Sequence, residues 1–169
     1  SVTDVARLLP NAAGRLVHKE ATVFGQIMAD PARPFVVILG GSKVSDKLGV
    51  IGSLIPRVDR LLIGGGMAYT FLAAQGHGVG TSLLEADQID SVRGFIAQAQ
   101  ERGVELLLPV DFIIADAFAA DAATQVVDAD AIPEGWMGLD IGPRTRELFA
   151  SRIADAGTVV WNGPMGVFE

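Results

Sequence analysis

Three short apolar segments of this chain each run directly into a loop that contains glycine. The pairs are residues 35–39 before Gly40, residues 60–63 before Gly64, and residues 158–161 before Asn162 and Gly163. Apolar runs of this length, rich in β-branched residues and bounded by turn residues, are typical of strands buried on both faces of a parallel sheet. In such a sheet, ligands bind outside the carboxyl ends of the strands, so the glycine loops indicate a site on one edge.

Helical patterns separate these strand-like segments. Apolar residues at helical spacing predict an amphipathic helix over residues 13–28, and further helices are predicted over 43–54, 67–75, 87–102 and 143–154. A strand is predicted over 104–110, and residues 124–127 are a candidate for a short extra strand. Strands that alternate with helices predict right-handed βαβ units and an α/β fold, namely a three-layer αβα Rossmann-like parallel sheet.

Composition narrows the class of protein. The chain has 169 residues, enough for one domain with its own core, and a mean hydropathy of +0.39 without any apolar run long enough to span a membrane. Its net charge of −7 argues against a nucleic-acid partner. The N-terminus has no signal-peptide pattern, so we predict a soluble, cytoplasmic protein that binds neither membrane nor nucleic acid. Without cysteine there are no disulfides or thiolate metal sites, and His18 and His77 do not have metal-ligand spacing.

Two common nucleotide-binding motifs do not match. The pattern G-x-x-x-x-G-K-[ST] is absent, which argues against a P-loop nucleotidase of the usual kind. The dinucleotide pattern G-x-G-x-x-G fails at residues 64–69 because Tyr69 takes the sixth position, which weakens a dinucleotide oxidoreductase.

Lys43 and Lys47 follow the first glycine loop at a predicted strand-to-helix junction. Their spacing predicts that they share one face of the first helical turns, beside free backbone N–H donors. Two ammonium groups at a helix N-terminus favour a polyanion, since charge and dipole act together. The alternatives are a solvated charged face for the lysines, and turns that need a positive φ for each glycine loop taken alone.

Five segments resemble the phosphoglycerate kinase family, in its order. Leu39 to Lys47 reads LGGSKVSDK, similar to the family's GGAKVSDK with Ser42 in place of alanine. The other four are IGGGMA at 63–68, LPVD at 108–111, GWMGLDIGP at 135–143 and WNGPMGVFE at 161–169. Together they cover essentially the whole chain, which makes the resemblance much more specific than a single glycine pattern.

The resemblance implies a glycolytic phosphotransferase with a carboxyl group as acceptor. Members of the family transfer a phosphoryl group reversibly between 1,3-bisphosphoglycerate and ADP, giving 3-phosphoglycerate and ATP. It assigns residues 1–28 to the interdomain-helix region and 29–169 to the C-terminal, nucleotide-binding domain, incomplete at its C-terminus. Nothing in the sequence resembles the N-terminal substrate domain, so this truncated chain is expected to bind ATP or ADP and to be inactive alone.

The resemblance also implies roles for individual residues. Lys43 would stabilise the transferring phosphoryl group, Lys47 and Asn162 would hold the nucleotide phosphates, and Glu169 would accept hydrogen bonds from the ribose. The residues expected around the adenine are Gly41, Gly65, Gly66, Gly138 and Leu139, with Leu83, Pro164 and Val167 completing an apolar slot.

Mg²⁺ is expected to arrive with the nucleotide, bridging its oxygens. The family's metal-ligating aspartate is expected beyond residue 169, so no metal ligand is assigned here. The implied partners are a nucleotide and, with the N-terminal domain, 3-phosphoglycerate; the full-length enzyme is expected to be a monomer. A noncatalytic nucleotide-binding module and a purely structural α/β domain are the rival functions.

Four other polar or aromatic residues have simpler interpretations. Trp136 and Trp161 are expected to be packing residues. Asp111 and Asp116 follow a predicted strand and are candidates for a site, with turn caps or solvated carboxylates as alternatives.

Overall fold

The computed structural model describes residues 2–167, which form two compact units divided between Ala32 and Arg33. The first unit contains helices α1 (Val2–Leu8) and α2 (Arg15–Ala29). Helix α2 confirms the helix predicted over 13–28 within two residues at each end. It is amphipathic, as its spacing predicted, and none of its residues is buried.

The second unit contains seven strands arranged in two sheets. They are β1 (Phe35–Leu39), β2 (Arg60–Ile63), β3 (Glu105–Leu107), β4 (Asp111–Ala115), β5 (Thr124–Asp128), β6 (Met137–Ile141) and β7 (Thr158–Asn162). The larger sheet has the order β3-β2-β1-β7 and is entirely parallel. Leu39 pairs with both Ile63 and Asn162, so β1, β2 and β7 end level with one another.

Helices flank the parallel sheet, and they are α3 (Leu48–Leu54), α4 (Ala68–Ala74), α5 (Ile89–Glu101) and α6 (Pro143–Ile153). Every residue of β1 is buried, as expected for a central strand covered on both faces. Val36, Ile38 and Leu62 pack on one face against Phe149 of α6. The predicted α/β fold, a parallel sheet flanked by helices, is therefore confirmed.

The smaller sheet was not predicted. It has the order β5-β4-β6 and is antiparallel, with a register shift between Ile113 and Ile114. Strand β5 confirms the extra strand suggested over 124–127. The strand predicted over 104–110 was wrong in its extent, because β3 ends at Leu107 and a new strand begins at Asp111. Pro109 lies between them, and proline cannot donate a hydrogen bond to a sheet ladder.

The helix predicted over 43–54 also begins later than expected. A short 3-10 turn covers Ser45–Lys47, and α3 starts only at Leu48, with Lys47 as its N-cap. Lys43 lies before both elements, so the two lysines do not share a helix face as the spacing predicted. Val44, which lies between the two lysines in the sequence, is fully buried, whereas Lys43 is exposed on the loop.

Candidate functional site

The loops after β1, β2 and β7 meet at the carboxyl edge of the parallel sheet. Backbone hydrogen bonds join them: Gly41 N–H donates to Pro164 O at 3.1 Å, and Gly65 N–H donates to Met165 O at 2.9 Å. Met67 N–H donates to Gly41 O at 3.0 Å. Three loops that are far apart in sequence therefore form one continuous rim, where the topology predicts a ligand.

Glycine is required at the closest approaches of this rim. Gly65 has φ of 65°, and a Cβ built on it would lie 2.7 Å from Gly41 N and 2.8 Å from Pro164 O. A Cβ on Gly66 would lie 2.8 Å from Leu83 Cδ1 and 2.9 Å from Ser42 O. A side chain at either position would push the loops apart or fill the space beside them.

A cavity of about 570 Å³ opens between this rim and β6. Its volume lies within the range of small-molecule sites, roughly 300–1,000 Å³. The lining residues are Gly41, Ser42, Gly65, Gly66, Tyr69, Thr81, Leu83, Phe118, Met137, Gly138, Leu139, Pro164, Gly166 and Val167. Glycine backbone thus faces apolar side chains across the cavity.

The structure brings all eight of the predicted adenine residues together at this cavity. Those that line it are Gly41, Gly65, Gly66, Leu83, Gly138, Leu139, Pro164 and Val167. Lys43, Lys47 and Asn162 do not line it, and Glu169 lies outside the described residues. The cavity therefore gathers the predicted base-binding positions, while the residues predicted for phosphates lie beside it.

Lys47 and Asn162 lie on the same rim although 115 residues separate them. The Lys47 ammonium donates a hydrogen bond to the Asn162 side-chain oxygen, which joins the start of α3 to the end of β7. Lys43 is exposed and makes no hydrogen bond or ion pair with the rest of residues 2–167. Its ammonium group is therefore available to a ligand.

A carboxylate fastens the lysine loop to the segment that carries Leu83. Glu85 accepts hydrogen bonds from Ser45 N–H at 3.0 Å and from the Ser45 hydroxyl at 2.5 Å. The hydrogen bond from the Ser45 hydroxyl lowers the pKa of Glu85. The ionised carboxylate, which accepts these bonds, is therefore the form present at neutral pH. This contact holds the loop between the two lysines against the cavity wall.

Several lining residues were missed by sequence reasoning, namely Ser42, Tyr69, Thr81, Phe118, Met137 and Gly166. Tyr69 was noted only because it breaks a glycine pattern. Its position in the sequence was an available signal, because Tyr69 follows the second glycine loop closely and lies in the first turn of α4. Phe118 had no such signal, because only the turn after β4 brings it to the cavity.

Asp111 caps a helix. Its carboxylate accepts hydrogen bonds from Arg144 N–H at 3.0 Å and from Thr145 N–H at 2.8 Å, in the first turn of α6. The side chain is 1% exposed. Burial alone would raise the pKa of Asp111, but the hydrogen bonds from Thr145 and Arg144 outweigh it and lower the pKa. Asp111 is therefore neither a turn cap nor a solvated carboxylate, the two alternatives predicted for it, but a buried helix cap.

The other three residues with open interpretations lie on loops and edges. Asp116 accepts a hydrogen bond from Ala123 N–H at 3.0 Å, closing the turn between β4 and β5. Trp161 is 62% exposed on β7, so the packing role predicted for it is wrong within the described residues. Trp136 is partly buried, and its carbonyl accepts a hydrogen bond from Thr81 N–H at 2.9 Å.

Neither a metal centre nor a membrane span is found in the described part of the chain. Among residues 2–167, no three His, Asp or Glu side chains come together in a way that could hold a metal ion. The same residues include no helix with the length and apolar character needed to cross a bilayer.

Comparison with known proteins identifies a single family. The family model described as phosphoglycerate kinase matches residues 1–169. A phosphoglycerate kinase from Frankia casuarinae is 62% identical over 169 residues, which are 100% of this chain and 42% of that protein. One from Clavibacter sepedonicus is 59% identical over 174 residues, covering 100% of this chain and 43% of that protein. The chain thus spans less than half the length of these relatives.

Solved structures with a similar fold carry the same name. The phosphoglycerate kinase of Coxiella burnetii superposes with a TM-score of 0.89 at 43% identity, covering 92% of this chain and 40% of that one. The enzyme of Pyrococcus horikoshii superposes with a TM-score of 0.77 at 28% identity, covering 96% of this chain and 42% of that one.

Proposed function

The chain belongs to the phosphoglycerate kinase family, and on that premise we propose that its cavity binds the adenine nucleotide of the kinase reaction. The reaction is reversible phosphoryl transfer between 1,3-bisphosphoglycerate and ADP. Residues 1–169 supply the ATP or ADP site in this proposal, and the whole protein supplies the phosphoglycerate site. A cytoplasmic location and a monomeric full-length enzyme stay predictions of the resemblance.

The shape and lining of the cavity support a flat aromatic base as its occupant. Glycine backbone forms one wall, where a Cβ on Gly66 would lie within 3 Å of Leu83 and Ser42. Three apolar side chains at the cavity are exposed, Leu83 by 60%, Phe118 by 68% and Val167 by 44%. Covering apolar surface contributes about 25 cal/mol per Å², so an adenine ring would gain by burying them.

Positive and polar groups beside the cavity support a phosphate chain. Lys43 is free of partners in residues 2–167, and Lys47 and Asn162 are joined on the rim. The two lysines follow β1 and Asn162 ends β7, and the ends of these strands also position the glycine loops. A nucleotide with its base in the cavity would thus direct its phosphates along the rim toward the lysines.

Phosphoryl transfer requires positioning and positive charge more than covalent chemistry from the protein. We assign to Lys43 the stabilisation of charge on the transferring phosphoryl oxygens, and to Lys47 and Asn162 the holding of the nucleotide phosphates. The ammonium of Lys43 is exposed and has no partner among residues 2–167, whereas that of Lys47 is held by Asn162.

Mg²⁺ neutralises nucleotide phosphates in reactions of this type when it is bound. The described residues do not fit a protein-held Mg²⁺ site, since no carboxylate cluster is present among residues 2–167. We propose, from the family resemblance, that the metal binds with the nucleotide, and the roles proposed for Lys43, Lys47 and Asn162 do not depend on it.

Calorimetric titration of the 169-residue chain with ADP tests the binding proposal. We expect saturable binding and a thermal shift at about 1 mM ADP, a concentration at the upper end of common substrate affinities. No heat and no shift would favour the purely structural domain.

A coupled assay with ATP and 3-phosphoglycerate separates the kinase from a noncatalytic binding module. We expect no turnover from residues 1–169 alone, and turnover from a protein that spans the full length of the relatives and includes these residues. Turnover by the 169-residue chain itself would contradict the proposal that the phosphoglycerate site requires the whole protein. A full-length protein that binds ADP without turnover would support the noncatalytic binding module.

A further inference from the structure

Tyr69 is a buried residue that lines the candidate nucleotide cavity. The residue lies in α4, lines the cavity, and is only 3% exposed. Its ring packs against Phe112 of β4, with ring centroids 4.9 Å apart and planes tilted by 40°. This packing fixes the ring, so the position of the hydroxyl is set by the fold and not by a flexible side chain.

The hydroxyl reaches the opposite wall of the cavity. Its oxygen and the adjoining ring carbons occupy the space where a Cβ of Gly138 would lie. Gly138 belongs to β6, and its N–H is already bonded to the Ser82 hydroxyl at 2.9 Å. The absence of a side chain at Gly138 therefore leaves space for the Tyr69 ring, and the Gly138 N–H does not bond the Tyr69 hydroxyl.

The hydroxyl has no hydrogen-bond partner among residues 2–167. Every side-chain nitrogen or oxygen that is fully enclosed in this part of the chain does have one. The Tyr69 oxygen is therefore not fully enclosed, and the cavity is an open space that Tyr69 lines. A hydroxyl on a side chain this buried, without a protein partner, can be satisfied by a ligand in the adjoining cavity.

The chemistry of the group suits a nucleobase. Burial, and the nearby charge of Asp140, raise the pKa of Tyr69, so the phenol stays protonated and can donate. The other hydroxyl-bearing residues of the lining, Ser42 and Thr81, are exposed. Tyr69 thus carries the buried hydroxyl of the lining, and adenine presents ring nitrogens that accept hydrogen bonds.

We propose that the Tyr69 hydroxyl donates a hydrogen bond to a ring nitrogen of the adenine base. The inference rests on the proposed function, in that the cavity must take the base of the nucleotide. It adds a polar contact to a slot that is otherwise selected by shape and apolar surface, and it gives the base one preferred orientation.

The test compares the wild-type chain with Tyr69→Phe, which removes only the hydroxyl. We expect the Kd for ADP to rise about 5- to 10-fold, the effect of one net hydrogen bond. The Kd for inorganic pyrophosphate, which has no base, should be equal in both. Equal ADP affinities for wild type and variant would overturn the inference and leave the proposed function standing, whereas no ADP binding by the wild type would overturn both.

Analogues of ADP provide a second measurement that needs no variant. In 1-deaza-, 3-deaza- and 7-deaza-ADP a single ring nitrogen is replaced by carbon, and we expect one of the three to lose the same 5- to 10-fold with the wild-type chain. Tyr69→Phe should bind that analogue and ADP equally. Full affinity for all three analogues overturns the inference, and so does a Tyr69→Phe chain that loses pyrophosphate affinity in parallel with ADP.

Discussion

Lys43 and Lys47 show how two residues of one type acquire different environments within a single loop. Lys43 is exposed and has no partner among residues 2–167, whereas Lys47 lies at the N-cap position of α3 and its ammonium donates a hydrogen bond to Asn162. A free ammonium can bind more strongly as charge develops on a ligand, and a held one can position a ligand that is already charged. Replacing Lys43 is therefore expected to affect phosphoryl transfer, and replacing Lys47 is expected to affect nucleotide binding.

Lys43→Ala, in the full-length protein, should lower kcat about 100-fold, the usual scale for losing one electrostatic stabiliser of a transition state. The Kd for ADP should change much less, because the charge acts mainly on the transferring group. Steady-state kinetics and calorimetry measure the two quantities. Lys47→Ala is the matched control and should weaken ADP binding instead; equal losses of kcat and affinity in Lys43→Ala would contradict the assignment.

Gly66→Ala should weaken ADP binding at least tenfold, because the new methyl group would lie 2.9 Å from the Ser42 carbonyl oxygen and 2.8 Å from Leu83, closing the slot. Calorimetric titration measures the loss. Gly78→Ala is the matched control: a Cβ at that position meets nothing within 4 Å, and ADP binding should be unchanged. Wild-type affinity in Gly66→Ala would show that the base does not enter this slot.

At the scale of elements, α6 depends on a contact from the neighbouring sheet. Asp111 begins β4 and caps the first turn of α6, so one carboxylate ties the small antiparallel sheet to the helix that covers the parallel one. Phe149 of the same helix packs against β1 and β2. Loss of the cap should therefore affect the stability of both sheets.

Asp111→Asn should lower the free energy of unfolding by about 2 kcal/mol at pH 7, because hydrogen bonds to a charged group are lost. The pKa of Asp111 is lowered in the folded state, so its contribution is complete above pH about 4 and disappears as the pH falls further. The difference in Tm between wild type and variant should shrink accordingly in melts between pH 7 and 2. Asp121→Asn, at an exposed position, is the control; a gap in Tm that does not vary with pH would contradict the prediction.

At the scale of the whole molecule, one edge of the parallel sheet is open. Within the described residues, β7 pairs only with β1, and it contains no charged side chain. Val159 is 42% and Trp161 is 62% exposed. An uncharged edge strand with free backbone groups is a template for pairing with another chain.

The 169-residue chain should therefore self-associate as its concentration rises, which sedimentation velocity measures directly. Val159→Lys should suppress the association, since a charge on an edge strand opposes pairing. Val50→Lys is the matched control, because Val50 is similarly exposed, by 43%, but belongs to α3 and not to the edge strand, and should leave the association unchanged. A chain that sediments as a monomer at every concentration would show that the β7 edge is not a pairing site.

The order of the elements and the composition of the site could be predicted from local patterns. The run of apolar residues at 35–39 predicts a central strand, and the glycines after β1, β2 and β7 predict one edge with close backbone approaches. Such features depend on residues that are neighbours in the chain, or on a topological rule that holds for any parallel sheet.

Long-range contacts decided the rest. The antiparallel sheet joins segments whose pairing no local period indicates, and Phe118 reaches the cavity only through the turn that this sheet creates. The sequence places Tyr69 near the second glycine loop, but the residue becomes a buried donor in the cavity lining because Phe112 and Gly138 fix where its ring can lie. Periodicity reports which face of an element is apolar, whereas packing between distant elements selects the side chains that meet a ligand.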